Sequence, residues 1–129
     1  MPDPLTVVVT IPGLKVESET NNREHHMKRY RRSKTQKELT RAYLALLGRG
    51  VRDRLRASPR VVVRFTRLGG RQWDSDNVTI AFKHVRDAVA DFLQRDDRPG
   101  SGVEWVLPPG QEPGEVGVRI ELEAEGVAE

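Results

Sequence analysis

The stretch that decides the fold reads RVVVRFTRLGGRQWDSDNVTIAFKHVRDAVADFLQRDD over residues 60–97. It opens with a β-branched run that Gly69-Gly70 stops, which is typical of a strand ending in a turn. Between Asp76 and Gln94 the apolar residues are spaced by four, three, four and three, as on one face of a helix; they are Val78, Phe82, Val85, Val89 and Phe92. The stretch therefore predicts a strand over residues 60–68 and a helix over about 76–94.

The residues before this stretch predict a strand, a loop and a helix. Residues 5–11 (LTVVVTI) are β-branched and end at Pro12-Gly13, so they predict the first strand. Residues 15–32 are polar and basic without apolar periodicity, which favours a long loop. A helix capped by Ser33 should follow and end before Ser58-Pro59, with Gly48 and Gly50 bending or splitting it. Its apolar positions are Leu39, Tyr43, Leu46, Leu47, Val51 and Leu55.

The residues after the deciding stretch add two strands. Residues 103–107 (VEWVL) and 116–124 (VGVRIELEA) are strand candidates, residues 108–115 are the connection between them, and a frayed tail is expected from about residue 125. A chain of 129 residues falls in the size range of one domain. We therefore expect a single α+β domain over residues 1–129, a mixed layer of about four strands with two main helices packed on the sheet.

Composition excludes several classes of protein. The chain has no cysteine, which removes disulfides, thiol nucleophiles and thiolate zinc sites, so any metal would be bound by oxygen or imidazole. No apolar run approaches the roughly 18 residues that span a membrane, and the first residues lack the basic start of a signal peptide. We expect a cytoplasmic protein with no membrane contact.

The net charge of +3 conceals a strong segregation of charge along the chain. Residues 23–71 hold sixteen Lys or Arg and three acids, whereas residues 96–129 hold nine acids and two Arg. Seven basic residues are especially close together, and we expect them to contact phosphates of a nucleic acid, although a solvated face is the competing interpretation. These candidates for DNA binding are Lys28, Arg29, Arg31, Arg32, Lys34, Lys37 and Arg41.

Two aspartates at the start of the predicted second helix are the strongest candidates for chemistry. Asp74 and Asp76 are two residues apart, so in an extended segment they project to the same side. Carboxylates held close together repel, and a hard cation such as Mg²⁺ allows both to stay ionised. Helical spacing places Lys83 on the face of Asp76, where an ammonium stabilises charge developing on a phosphate, and Asp87 one turn further on is a candidate ion-pair partner for Lys83.

The segment from Trp73 to Asp97 resembles the RusA family of Holliday-junction resolvases. It contains the pattern D-x-D-N at Asp74 to Asn77, a helical lysine, a helical aspartate and the pair Asp96-Asp97. The resemblance implies a Mg²⁺ site, or Mn²⁺ in its place, on Asp74, Asp76 and Asp97, with Lys83 also needed for cleavage. Asn77, Asp87 and Asp96 would then support these ligands from behind. The resemblance also implies a homodimer that nicks branched DNA symmetrically.

One departure from the family pattern leaves other functions open. The lysine and the aspartate that follows it lie about one helical turn further from D-x-D-N than in the best-known members, which changes their height along the helix but not their face. The alternatives are a branched-DNA-binding protein of the same fold that does not cleave, and a basic accessory protein that only docks on nucleic acid. The specific resemblance covers about a fifth of the chain.

Each candidate acid also has a purely structural interpretation. Asp76 or Asn77 is a suitable helix cap, and Asp96-Asp97 before Arg98-Pro99-Gly100 is typical of a turn. These interpretations account for one aspartate of the first pair well and for the other only loosely. We therefore expect the pair before the helix to be functional.

Overall fold

The computed structural model describes residues 4–16, 26–96, 98 and 100–126, without the side chains of residues 26, 28 and 29. Its elements, in chain order, are β1 (Leu5–Pro12), α1 (His26–Ala45), α2 (Arg49–Ala57), β2 (Val61–Leu68), α3 (Ser75–Ala81), α4 (Lys83–Leu93), β3 (Val103–Glu112) and β4 (Gly117–Ala124). No helix in these residues combines the length and the apolar character needed to cross a membrane.

The four strands form one mixed sheet in the order β1-β4-β2-β3. The last strand, β4, lies between β1 and β2 and is antiparallel to both. In contrast, β2 and β3 run parallel, so α3 and α4 form the crossover between them. The expected α+β architecture is confirmed.

The apolar core lies between the sheet and the helices. Inward positions of β2 at Val61, Val63 and Phe65 are at most 2% exposed. They pack in one cluster with the predicted helix stripe, of which Val78, Phe82, Val85 and Val89 are buried and Phe92 is partly buried. The periodicity of the deciding stretch therefore identified the buried face correctly.

The basic segment before residue 33 is helical, which corrects the expected loop over residues 15–32. The first helix begins at His26, seven residues before the predicted cap at Ser33, whose hydroxyl donates to the Tyr30 carbonyl oxygen at 3.2 Å. The described part of that segment before the helix is residues 15–16, and residues 17–25 lie outside the description. The basic residues from Lys28 onward therefore sit on a helix.

Of the apolar positions predicted for the first helix, Leu55 is buried and Tyr43, Leu47 and Val51 pack partly buried against the core. The prediction was wrong for Leu39 and Leu46, because the buried face of α1 is partly polar. Gln36, Thr40 and Leu44 are at most 1% exposed, whereas Leu39 is 36% and Leu46 is 80% exposed. The Thr40 hydroxyl donates to the Gln36 carbonyl oxygen at 2.7 Å, so a polar side chain is satisfied inside the helix layer. The glycine at position 48 has a φ of 88°, and the helix stops before it and restarts as α2.

Both predicted helices are divided, the second one at Phe82. This residue has φ −85° and ψ 2°, and it separates α3 from α4. Its ring is 1% exposed and lies 5.4 Å from the ring of Phe65 between centroids, so core packing holds the break in place. The expectation of one continuous helix over residues 76–94 is wrong at this residue.

Two of the remaining boundaries also differ from expectation. The third strand continues to Glu112 through the predicted connection, because its register against β2 shifts between Arg64 and Thr66 and the extra residues are accommodated there. At the end of β4, the Glu125 amide donates to the Arg60 carbonyl oxygen at 3.0 Å, so this first residue of the expected tail is held in place. Residues 127–129 lie outside the description.

Candidate metal and nucleic-acid site

The candidate metal ligands lie just beyond the carboxyl end of β2, where the chain enters α3. Asp74 is the N-terminal cap residue of α3, with extended backbone angles, and Asp76 is in the first turn. Both side chains are exposed, and Asp74 makes no side-chain capping hydrogen bond. Neither carboxylate has a hydrogen-bond or ion-pair partner among the described residues. The capping interpretation therefore does not occupy their oxygens, and two oxygen-donor carboxylates suit Mg²⁺, which keeps several of its waters.

A side chain on the neighbouring strand fixes the backbone directly before Asp74. The Gln111 amide group donates to the Trp73 carbonyl oxygen at 2.8 Å, and its own oxygen accepts from the Trp73 backbone N–H at 2.8 Å. This double hydrogen bond pins Trp73 to β3. Because Asp74 is the next residue, these hydrogen bonds also fix the position of the Asp74 backbone.

An arginine supports the other side of Trp73. The Arg67 guanidinium lies over the indole ring, 3.7 Å from its centroid, and donates through Nη1 to the Arg71 carbonyl oxygen at 2.7 Å. Sequence reasoning missed both Arg67 and Gln111. The signal was present for Arg67, since it follows Val61, Val63 and Phe65 at every second position and so faces inward.

Lys83 is the first residue of α4 and is exposed to solvent. The break at Phe82 separates it from the helix that carries Asp76, so the two do not share a continuous helix face. The expected ion pair between Lys83 and Asp87 is absent from the described contacts, because Asp87 instead lies 4.0 Å from Nζ of Lys37 on α1. Lys83 is left without a carboxylate partner among the described residues.

Two ion pairs show how α1 lies beside α4. Lys37 pairs with Asp87 at 4.0 Å, and Arg41 Nη2 pairs with Asp91 Oδ2 at 2.9 Å. Residue numbers rise together on both helices, so the two helices run parallel at this contact. One helical turn earlier, the same register brings the turn of α1 that holds Lys34 level with Lys83.

The basic candidates of α1 therefore divide into two groups. Lys37 and Arg41 are paired with acids of α4. Lys34 is exposed at the level of Lys83, and Arg31 is exposed about one turn before it. Among the described residues, the carboxylate paired with Lys34 is Glu38 on the same helix, at 4.0 Å. Arg32 is half-buried, and the side chains of Lys28 and Arg29 lie outside the description.

The acids after α4 occupy a different surface. Asp96 lines an open groove of about 550 Å³ together with Lys37, Asp87 and Asp91, and neither Asp74 nor Asp76 lines that groove. The Asp96 carboxylate accepts from the Arg98 backbone N–H at 3.0 Å and from its guanidinium at 2.6 and 2.8 Å. These hydrogen bonds lower the pKa of Asp96 and match the turn interpretation.

Asp97, the third expected metal ligand, lies outside the described residues. Within the described part of the chain no three acids or histidines are placed to share a metal ion. Asn77, half-buried in the first turn of α3, is engaged by a contact of its own. The structure therefore places Asp74 and Asp76 together at the start of α3.

No family model, curated protein or solved structure matches this chain.

Proposed function

We propose that this protein is a Mg²⁺-dependent endonuclease that resolves four-way DNA junctions by hydrolysing phosphodiesters. The observation that carries the proposal is the pair of exposed carboxylates of Asp74 and Asp76, which lie in a D-x-D-N segment and have no partner among the described residues. Carboxylates that only cap a helix or close a turn are hydrogen-bonded, as Asp96 is. The resemblance of the segment to RusA resolvases supplies the substrate class.

The proposed roles follow from position. Asp74 and Asp76 hold the cation, with Asp97 as the third ligand that the resemblance implies, and Mn²⁺ would serve in place of Mg²⁺. A bound divalent cation supplies activation of water and neutralisation of phosphate charge. Lys83 donates to a phosphate oxygen and stabilises the charge that develops on it. The resemblance implies supporting roles for Asn77, Asp87 and Asp96, although Asp87 is paired with Lys37 and Asp96 with Arg98 on the groove beside α4.

The basic side of α1 supplies contacts to the DNA backbone. Lys34 lies about one turn before the Lys37–Asp87 ion pair that joins α1 to α4, Arg31 lies almost one turn further back, and both side chains are exposed. A duplex arm that contacts them would run past the first turn of α4 and towards the acids of α3. Phosphate contacts of this kind position DNA without reading its sequence.

A homodimer suits the two-fold symmetry of a junction. The apolar face of α3 and α4 is buried against the sheet, so it is not available as an interface. In the described sheet β1 pairs only with β4, and its Val8 is 55% exposed. We therefore expect the interface to involve β1, and light scattering on Val8→Lys should show a shift towards monomer.

A second candidate is a branched-DNA-binding protein that does not cleave. The break at Phe82 favours it, because Lys83 then stands on a different helix from Asp76. A basic protein that only docks on nucleic acid is the third alternative, and it predicts no preference for a junction over duplex DNA.

A junction-cleavage assay separates these functions. Purified wild type, Asp76→Asn and the control Asp91→Asn would be incubated with a labelled four-way junction in Mg²⁺ and in EDTA. We expect nicking by wild type and Asp91→Asn in Mg²⁺ alone, and binding without nicking by Asp76→Asn. A wild-type protein that binds junctions tightly but nicks them in neither Mg²⁺ nor Mn²⁺ would show that the nuclease proposal is wrong.

A further inference from the structure

A buried arginine near the candidate metal site has no carboxylate partner within the described part of the chain. Arg67 is 8% exposed. It is the second-last residue of β2 and follows the inward-facing apolar residues of that strand. Its described hydrogen bonds go to the Arg71 carbonyl oxygen and, at 3.4 Å, to the side-chain oxygen of Gln111. Burial lowers the pKa of Arg67, which reflects the cost of removing its charge from water. A cation in this position favours an anion beside it.

The guanidinium lines a small cavity. The cavity has a volume of about 160 Å³ and is formed by Arg67, Gly69, Gly70, Gln72, Gln111, Glu112 and Pro113. Gln72 and Gln111 are among the lining residues, and the Gln111 amide group is held in place by its two hydrogen bonds to the Trp73 backbone. The Glu112 carboxylate also lines the cavity, but it is paired with Arg119 on β4, which reduces its repulsion of an anion.

Two consecutive glycines lie beside Arg67 in the wall of this cavity. Gly69 and Gly70 have φ values of 80° and 74°, a backbone conformation that residues with a side chain rarely adopt. A Cβ at Gly70 would lie 2.7 Å from Nη2 of Arg67, which is too close unless the arginine side chain moves. A Cβ at Gly69 would lie 2.8 Å from the Gly114 carbonyl oxygen. A side chain at Gly70 would therefore displace the guanidinium from its position at the cavity wall.

The cavity is directly linked to the candidate metal ligands. Trp73 is stacked on Arg67, and Asp74 is the next residue along the chain. Arg67 and Gln111 are also register partners on β2 and β3, so the cavity floor and the support of Trp73 are the same pair of residues. An anion in the cavity would therefore lie one side chain away from the segment that holds the carboxylates.

We propose that the Arg67 cavity binds a backbone phosphate of the DNA, next to the phosphate at which cleavage takes place. The guanidinium supplies paired donors for the phosphate oxygens, as arginine does at other phosphate sites. The identity of the anion as DNA rests on the proposed function, whereas the existence of an anion site does not. Binding there would fix the strand relative to Asp74 and Asp76.

The first test uses inorganic phosphate in the absence of divalent cations. The signals of the Gly69 and Gly70 amides and of Arg67 Nε would be followed by NMR during titration, against NaCl of equal ionic strength. We expect saturable shifts in wild type and in the control Arg64→Met, whose exposed side chain pairs with Glu123. Arg67→Met preserves an apolar stem on Trp73 and should weaken phosphate binding at least about tenfold, the factor that about 1.4 kcal/mol of a charge-assisted hydrogen bond represents.

A second variant covers the possibility that Arg67→Met does not fold. Gly70→Ala retains the guanidinium but places a methyl group against Nη2, so it should also weaken the phosphate-induced shifts. Thermal unfolding of each variant shows whether it is folded. Wild-type signals that do not move with phosphate, or that move equally in Arg67→Met, would overturn the anion site.

The DNA part of the proposal is tested by the salt dependence of junction binding without metal. Loss of one phosphate contact should lower the slope of log K against log salt by about one in Arg67→Met and leave it unchanged in Arg64→Met. An unchanged slope in Arg67→Met would show that the bound anion is not a DNA phosphate. Failure of wild type to cleave would overturn the proposed nuclease function. The phosphate titration would still show whether the cavity binds an anion.

Discussion

The acids at the start of the α3–α4 crossover differ from those further along it in whether their carboxylates have partners. Asp74 and Asp76, before and within α3, have no partner among the described residues. Asp87, Asp91 and Asp96, along and after α4, are paired with Lys37, Arg41 and Arg98. Aspartates along and after α4 thus stabilise the structure through ion pairs, whereas the two at the start of α3 have carboxylates that are available to a ligand. This difference, more than the number of acids, indicates where a cation would bind.

The largest effect should come from removing an unoccupied carboxylate. Asp74→Asn should abolish metal binding at the start of α3 and lower cleavage at least about 100-fold, because metal stabilisation of a transition state amounts to several kcal/mol. Broadening of the NMR signals of residues 75–78 by Mn²⁺ measures binding directly. Broadening that persists in Asp74→Asn and disappears in Asp91→Asn would show that the cation binds at the paired acids of α4 and not at the start of α3.

Lys83 should follow in magnitude. Lys83→Met removes a donor to the phosphate and should lower the cleavage rate about 10-fold to 100-fold, with junction affinity measured in Ca²⁺ nearly unchanged. Lys83→Arg keeps the charge and should recover part of the rate. Equal loss of binding and cleavage would make Lys83 one more phosphate contact and would favour the non-cleaving alternative.

The support of Trp73 is expected to have a smaller, measurable effect on stability. Gln111→Leu removes both hydrogen bonds to the Trp73 backbone and should lower the free energy of unfolding by about 1–3 kcal/mol. The control Glu104→Ala, on the same strand, removes only an exposed ion pair with Arg60 and should cost at most about 1 kcal/mol. Urea unfolding of the two variants measures the difference, and equal midpoints would show that the pairing does not hold the loop.

The smallest effect concerns pH. Hydrogen bonds from Arg98 lower the pKa of Asp96 below its ordinary value of 3.8, so their stabilisation is present above that value and is lost as pH falls through the lowered pKa. Wild type should therefore lose slightly more stability than Asp96→Asn between neutral pH and about pH 2. Thermal unfolding at both pH values measures this difference, which should be small because the pair is exposed. An equal loss in both proteins would mean that Arg98 does not stabilise the turn.

The sequence predicted those parts of the fold in which the buried positions are apolar and recur at the spacing of a helix or a strand. The apolar spacing of Val78, Phe82, Val85 and Val89 identified the buried face because those residues do pack on the sheet. The buried face of α1 was missed because Gln36 and Thr40 occupy it, and periodicity counts only apolar residues. The break at Phe82 depends on a contact with Phe65 in another element, which no local pattern contains.

The candidate site was predictable to the same extent. The spacing of Asp74 and Asp76 pointed to a shared location because both lie in one short segment. The partners of Asp87 and Asp91 come from α1, about fifty residues earlier in the chain, so these ion pairs could not be predicted from the local sequence. Gln111 was not predictable for the same reason, since it lies on β3, 38 residues after Trp73 in the chain.

The position of β4 has a consequence for how the chain is made. Of the described strands, β4 comes last along the chain but lies in the interior of the sheet, and it is the only described strand that pairs with β1. Until β4 leaves the ribosome, β1 has no neighbour and one side of β2 presents unpaired backbone groups. The crossover from β2 to β3 is local in sequence and can form earlier. The nascent protein should therefore acquire its candidate metal segment before its sheet is complete, and a chaperone that covers exposed strand edges would be most useful in that interval.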